Sequence, residues 1–118
     1  MMCHVLVIED EPLIAEYVGA LAEMAGATSF VITDTTDTAV GAAQAQTPDL
    51  ILSDVNLLRG DRGPDAVARI RSAMGAIPVI FITATAADCV DCDYASAILE
   101  KPIQPERVMA AISALDRC

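Results

Sequence analysis

The stretch of sequence that decides the fold lies near the start of the chain and reads Val5-Leu6-Val7-Ile8-Glu9-Asp10-Glu11-Pro12. A short, continuous apolar run rich in β-branched residues is typical of a strand that is buried on both faces. The run ends in three acidic residues, and a proline directly after them can occupy the first turn of a helix. The stretch therefore predicts the first β-α unit of a parallel sheet that helices cover on both sides.

The same alternation of strand and helix continues along the chain. Apolar runs predict further strands at Phe30–Ile32, Leu50–Leu52, Val79–Ile82 and Ala97–Leu99. Helices are predicted after a cap at Thr36 or Thr38, after Pro64 and after Pro105. The pattern predicts an α/β fold with a doubly wound, five-stranded parallel sheet and right-handed crossovers.

One segment fits this pattern poorly. Residues 86–96 contain Asp88, Asp91 and Asp93 and two cysteines, but no clear apolar stripe. The fourth helix of the (βα)5 order is therefore expected to be short or irregular.

Length and composition limit the classes of protein to consider. The chain has 118 residues, so we expect one domain spanning residues 1–118. With 54% hydrophobic and 3% aromatic residues, its core must be aliphatic. No apolar run is long enough to insert into a membrane and no secretory signal is evident, so a cytoplasmic location is expected. The net charge of −10 argues against direct binding of nucleic acid.

The four cysteines suggest no metal or redox site. Cys89 and Cys92 form a CxxC spacing, but Cys3 and Cys118 lie at opposite ends of the chain and His4 is the only histidine. Four-ligand zinc would need two further ligands near the pair. In a cytoplasmic protein we expect the thiols to be reduced, with a structural or incidental role.

Polar residues stand where the predicted strands end. Glu9 and Asp10 follow the first strand, Asp54 the third, Thr83 the fourth and Lys101 the fifth. Ligands of open parallel sheets bind beyond the carboxyl ends of the strands. These five side chains are therefore expected to meet in one crevice.

The chemistry of this set indicates a phosphate site with a metal. Three ionised carboxylates close together need a cation, and an all-oxygen ligand set suits Mg²⁺. Thr83 and Lys101 suit phosphoryl oxygens, and Lys101 is the only lysine of the chain. We expect Lys101 at the rim of the crevice, with few core contacts and little influence on folding.

These residues, in this order, resemble the CheY-like receiver domains of two-component response regulators. The resemblance covers the whole chain and rests on four stretches: Val7–Pro12, Leu50–Asp54, Phe81–Ala84 and Lys101-Pro102. Asp54-Val55-Asn56-Leu57, with Gly60 and Gly63-Pro64, looks like receivers that serve HWE-type histidine kinases. The resemblance implies a flavodoxin-like (βα)5 receiver fold.

The resemblance also implies a role for each matching residue. Asp54 would be the phosphoacceptor. Asp10 would bind Mg²⁺ directly, Glu9 through water, and Asn56 through its backbone carbonyl. Thr83 and Lys101 would contact the phosphoryl group. The donor would be a histidine kinase or a histidine phosphotransfer protein, and the output would be contact with an unknown downstream protein.

The output mechanism departs from the family pattern. Receivers usually carry an aromatic residue three positions before the lysine, where this chain has Ile98. A β-branched residue is a poor rotating reporter. We therefore expect the segment Ala84–Ala95 to reorder on phosphorylation instead.

Several alternatives stay open. Within the family, a stand-alone receiver could serve as a phosphate sink or feedback element for a kinase rather than as a relay. A degenerate receiver would bind partners without phosphorylation. Outside it, a phosphatase of the haloacid dehalogenase type also uses an Asp nucleophile, but carries it on the first strand. A flavodoxin-like cofactor binder would need aromatic residues that are scarce in this chain.

Overall fold

The structure, a computed structural model, describes residues 2–89 and 91–116. Its described residues form one parallel sheet of five strands in the order β2-β1-β3-β4-β5. This is the doubly wound order of flavodoxin-like folds, with the crevice expected where the order reverses, beside β1 and β3. The strands are β1 His4–Ile8, β2 Ser29–Thr33, β3 Leu50–Ser53, β4 Val79–Thr83 and β5 Ala97–Glu100.

The described residues form four α-helices: α1 Pro12–Met24, α2 Thr36–Ala45, α3 Gly63–Met74 and α4 Pro105–Ser113. As predicted, a proline lies in the first turn of α1, α3 and α4, where its missing N–H costs no hydrogen bond. The predicted cap of α2 is wrong by one residue. Thr35 is the N-cap, and it exchanges hydrogen bonds with Thr38 in the third helical position.

Side chains of the strands alternate between two core layers. Leu6 and Ile8 of β1 pack on the side of α2 and α3, whereas Val5 and Val7 pack on the side of α1 and α4. Both faces of the sheet are thus buried, as the continuous apolar runs predict. Among the described residues, no helix is long and apolar enough to cross a membrane.

The connection between β4 and β5 lacks a regular helix. In its described part the only helical element is a 3-10 turn at Ala86–Asp88, which agrees with the expectation of a short fourth helix. The expectation of reduced thiols is wrong: Cys89 and Cys92 form a disulfide with each other, and Cys3 is also disulfide-bonded. A backbone hydrogen bond from Cys92 N to Cys89 O closes a turn. This turn brings the two Cα atoms to 5.1 Å, within the range that a disulfide needs. Cys118 lies outside the described residues.

Candidate functional site

Three carboxylates meet at the carboxyl edge of the sheet. Glu9 and Asp10 follow β1 and Asp54 follows β3, and these strands pair in parallel with Ile8 opposite Ser53. The strands therefore end level with each other, and one carboxylate oxygen of each acidic residue lies within 4.8 Å of the others. The backbone fixes this further, since Asp54 N donates to Ile8 O at 2.9 Å.

Lys101 supplies a positive charge to this cluster. Its Nζ donates to Glu9 Oε1 at 2.8 Å and to Asp54 Oδ2 at 2.9 Å. The three side chains are 13%, 4% and 11% exposed, so the ion pairs are largely shielded from water. The side chain of Lys101 is therefore buried more deeply than the expected position at the rim of the crevice, and its contacts are with these carboxylates. Its backbone N donates to Thr83 O at 2.9 Å, which ties the end of β5 to the end of β4.

Burial changes the proton affinity of two of these groups. Burial raises the pKa of the Glu9 carboxyl to about 7 from an ordinary 4.5, although Lys101 partly opposes the shift. Burial alone would lower the pKa of Lys101. Its hydrogen bonds to Glu9 and Asp54 outweigh that effect and raise the pKa above its ordinary value. Lys101 is thus held as a cation, while Glu9 can gain or lose a proton near neutral pH.

The other two predicted site residues lie beside the cluster. Thr83 is fully buried at the end of β4, and its hydroxyl is 3.1 Å from the hydroxyl of Thr85. The side chain of Asn56 donates to Thr85 Oγ1 at 2.7 Å and to Asp88 Oδ2 at 2.9 Å. Thr83 and Asn56 are therefore joined to each other through Thr85.

Sequence reasoning missed Thr85, Asp88 and Gly63. Asp88 lies 32 positions from Asn56, so no local pattern indicates their contact. Gly63 opens α3 next to Asp54, and its N–H donates to Val55 O at 2.8 Å. A β-carbon on Gly63 would collide with the backbone carbonyl oxygen of Asp54. The only available signal was the glycine before Pro64, which suggests a close approach without naming the partner.

Asp54 is oriented by its immediate neighbours. Its Oδ1 accepts a hydrogen bond from Val55 N at 2.6 Å, while its backbone oxygen accepts one from the Ser53 hydroxyl at 2.7 Å. With Oδ2 held by Lys101, both carboxylate oxygens have a donor. The side chain is therefore positioned before any ligand binds.

The donor set fits a hard divalent cation. Glu9, Asp10 and Asp54 each offer an oxygen, and the cluster has more negative than positive charge. Mg²⁺ needs only one or two carboxylates, with waters and phosphate oxygens in its other positions. The residues present can hold this ion.

The chain is similar to known proteins along most of its length. The family model described as the response regulator receiver domain matches residues 5–113. The phyllosphere-induced regulator PhyR of Methylorubrum extorquens is 38% identical over 116 residues, which are 96% of this chain and 43% of that protein. Overall, the chain spans about half the length of the curated relatives it matches.

Two solved structures of similar proteins agree in fold. The solution structure of the PhyR receiver domain from Erythrobacter litoralis is 34% identical with a TM-score of 0.83, covering 96% of this chain and 88% of that one. The crystal structure of PhyR from Brucella abortus gives the same identity and TM-score, covering 96% of this chain and 47% of that one.

Proposed function

Because this chain belongs to the response regulator receiver domain family, we propose that it is a PhyR-like receiver that accepts a phosphoryl group on Asp54 in a Mg²⁺-dependent reaction. The observation that carries the proposal is the position of Asp54. Its carboxylate lies in an acidic cluster and receives a hydrogen bond from the only lysine. A carboxylate nucleophile with a cation site and an ammonium beside it has the parts that phosphoryl transfer requires.

Each residue of the site has its own role in the phosphoryl transfer. An oxygen of Asp54 attacks the phosphorus, an O–P bond forms, and the N–P bond to a donor phosphohistidine breaks. The Val55 N–H orients the attacking carboxylate. Lys101 exchanges its bond to Asp54 for one to a phosphoryl oxygen, and the Thr83 hydroxyl turns from Thr85 toward the same group.

The metal would be held by Asp10 and Asp54, by Glu9 through water, and by the backbone carbonyl of Asn56. Mg²⁺, when bound, neutralises the charge that the incoming phosphoryl oxygens would otherwise bring against the carboxylates. Hydrolysis of the acyl phosphate resets the domain. Receiver domains are signalling domains, so the chemistry serves a switch rather than the turnover of a substrate.

The donor is a histidine kinase or a histidine phosphotransfer protein that must bring a phosphohistidine to this edge of the sheet. A groove of about 270 Å³ opens beside Lys101 and is lined by apolar side chains of Ile14, Tyr17, Pro102 and Ile103. An apolar helix face on the donor would fit it. A donor of this kind supports a cytoplasmic location for the domain.

The output is contact with a downstream protein. A PhyR variant from Bartonella quintana, 36% identical to this chain, is an anti-anti-sigma factor, which supports an output through contact with a protein. The net charge of −10 favours a partner with a basic face over nucleic acid.

Mass spectrometry tests the proposal. The protein is incubated with acetyl phosphate, with and without Mg²⁺, and its intact mass is measured. We expect the mass of one phosphoryl group to be added, only with the metal, and to be lost in Asp54→Asn. Asp49→Asn, a change at the other end of β3, should leave the phosphorylation intact. A phosphoryl adduct that persists in Asp54→Asn would reject the assignment.

A further inference from the structure

The β4–β5 connection, residues 84–96, is anchored in the core by its disulfide. Among its described residues only Cys89 and Cys92 are buried, at 5% and 1% exposed, and both lie in the core layer that contains Phe81. Its other contacts are short-range backbone hydrogen bonds such as Asp88 N to Thr85 O, hydrogen bonds from distant side chains to Asp88, and the packing of half-buried Tyr94. A segment with so few buried contacts has little packing to keep it in one conformation.

The cross-link acts locally rather than on the whole fold. Cys89 and Cys92 are three positions apart, and such a short loop restricts the unfolded chain little. Through the unfolded state, the disulfide therefore stabilises the whole fold less than a cross-link between distant residues would. Its remaining effect is to fix the turn that places both sulfurs in the core and Asp88 beside them.

This turn is connected to the acidic site by hydrogen bonds. Asp88, directly before Cys89, accepts from Asn56 Nδ2 through its side chain at 2.9 Å and from Arg62 Nη2 through its backbone at 2.8 Å. Asn56 follows Asp54 by two residues and also reaches Thr85, which contacts Thr83. The turn thus supplies one of the two partners of Asn56, and Asn56 and Thr85 link it to the Thr83 hydroxyl.

Tyr94 packs the connection against the core but leaves its own hydroxyl without a partner among the described residues. Tyr94 packs edge-on against Phe81 at 6.2 Å between ring centroids, and Arg71 lies 5.0 Å from its ring centre. Its hydroxyl has no hydrogen-bond partner among the described residues. An unsatisfied buried hydroxyl lowers the advantage of this conformation over one in which the hydroxyl reaches water.

We propose that Cys89 and Cys92 form a thiol–disulfide exchange site through which a dithiol reductant controls the acidic site. The sulfurs are buried in this conformation, so the reductant acts when the connection opens: its thiolate then attacks one sulfur of the pair and forms a mixed disulfide. Its second thiol then displaces that sulfur. The Cys89–Cys92 bond is broken, the pair gains two electrons and two protons as thiols, and the reductant leaves as a disulfide.

Reduction frees the turn. Two thiols need more room than the cross-linked pair in a close-packed layer, so one of them moves outward and takes Asp88 with it. Asn56 and Thr85 then lose their fixed partners. We call Asn56, Thr83 and Thr85 the rim of the acidic site. The rim is ordered in the oxidised protein and is released from its fixed contacts in the reduced protein. The effect on phosphorylation rests on the function proposed above, whereas the effect on the rim does not.

The test compares the oxidised and reduced protein directly. Amide NMR spectra are recorded without and with dithiothreitol, and alkylation with mass spectrometry reports the state of the pair. The double variant Cys89→Ala/Cys92→Ala is the matched control, since it keeps Cys3 and Cys118 and isolates any effect of reducing them. Phosphoryl acceptance from acetyl phosphate is measured in parallel.

We expect reduction to shift the amides of Asn56, Thr83 and Thr85 in the wild type and to leave the variant unchanged. Phosphoryl acceptance from acetyl phosphate should differ between the oxidised and the reduced protein by roughly twofold to thirtyfold, which is a typical range for coupling between two sites. The proposal is overturned if Cys89 and Cys92 stay as thiols after treatment with oxidised glutathione. It is also overturned if the amide signals of Asn56, Thr83 and Thr85 do not change on reduction. If the amides shift but Asp54 accepts no phosphoryl group in either form, the redox coupling stands and the proposed function fails.

Discussion

The backbone carbonyl oxygen of Asp54 occupies the space in which a side chain on Gly63 would begin. The hydroxyl of Ser53 borders the same space, and it donates to that carbonyl oxygen at 2.7 Å. Gly63 is also the first residue of α3, and its N–H holds Val55 O at 2.8 Å. The start of α3 is therefore packed directly against the backbone that presents Asp54 to the site.

Gly63→Ala is expected to destabilise the fold and to displace Asp54. Overpacking of a close contact costs roughly 1–3 kcal/mol, and here the obstacle is backbone that cannot rotate away. Gly41→Ala is the matched control because Gly41 lies in α2 with no atom near its missing side chain. That change should stabilise the protein by about 0.5–1 kcal/mol. Urea unfolding measures both, and equal effects of the two changes would contradict the packing argument.

Mg²⁺ is expected to raise the melting temperature. The ion relieves repulsion among three carboxylates and binds only the native state, so stability increases by mass action. Asp10→Ala should abolish most of this rise, whereas Glu16→Ala, in α1, should keep it. Thermal melts with millimolar Mg²⁺ and with EDTA measure the effect. A rise in Asp10→Ala equal to that of the wild type would show that the ion binds elsewhere.

Glu9 is expected to make the metal-free protein less stable as the pH rises from 4.5 to about 7. Burial raises its folded pKa above the ordinary value, so the native state binds more protons than the unfolded state in that window. The stabilisation is complete below 4.5 and is lost as the pH passes about 7.

Glu9→Gln removes this titration and leaves that of the other carboxylates. The free energies of unfolding of the wild type and of Glu9→Gln are measured in EDTA across this pH window. The free energy of unfolding of the wild type should fall more steeply toward neutral pH. Parallel curves would mean that Glu9 titrates normally. Added Mg²⁺ should reduce the difference, since it stabilises the ionised carboxylate.

Lys101→Ala is expected to lower metal-free stability by roughly 1–3 kcal/mol, because it leaves Glu9 and Asp54 buried without a partner cation. Mg²⁺ should restore most of the loss by supplying positive charge. The amide shifts that beryllofluoride causes at Thr83 and Thr85 should nevertheless be absent, since no ammonium engages the phosphoryl mimic. Lys101→Arg keeps the charge and serves as the control. If Lys101→Ala gives the same amide shifts with beryllofluoride as the wild type, Lys101 takes no part in the switch.

The convergence of the acidic residues could be predicted because it depends on a simple rule. Parallel strands end at one edge of a sheet, so polar residues after β1 and β3 must meet there, and Glu9, Asp10 and Asp54 do. The starts of α1, α3 and α4 were predictable for a similar reason, since within a helix proline is tolerated best in the first turn.

Contacts between distant segments could not be predicted in this way. The bonds of Asn56 to Asp88 and the approach of Gly63 to Asp54 depend on how loops pack after the sheet has formed. The depth at which Lys101 is buried depends on the same packing. The disulfide was missed because CxxC spacing is compatible with zinc binding, redox chemistry or no role, and only the turn geometry distinguishes them.

The placement of the only lysine has a practical consequence for experiments on this protein. Reagents that attach fluorophores or sensor surfaces to amines have a single side-chain target, Lys101, and it is 13% exposed within the acidic cluster. Immobilisation through that amine would block the acidic cluster, so binding assays need a different attachment. Conversely, we expect the acylation rate of the Lys101 amine to fall when an ion or a phosphoryl group occupies the cluster.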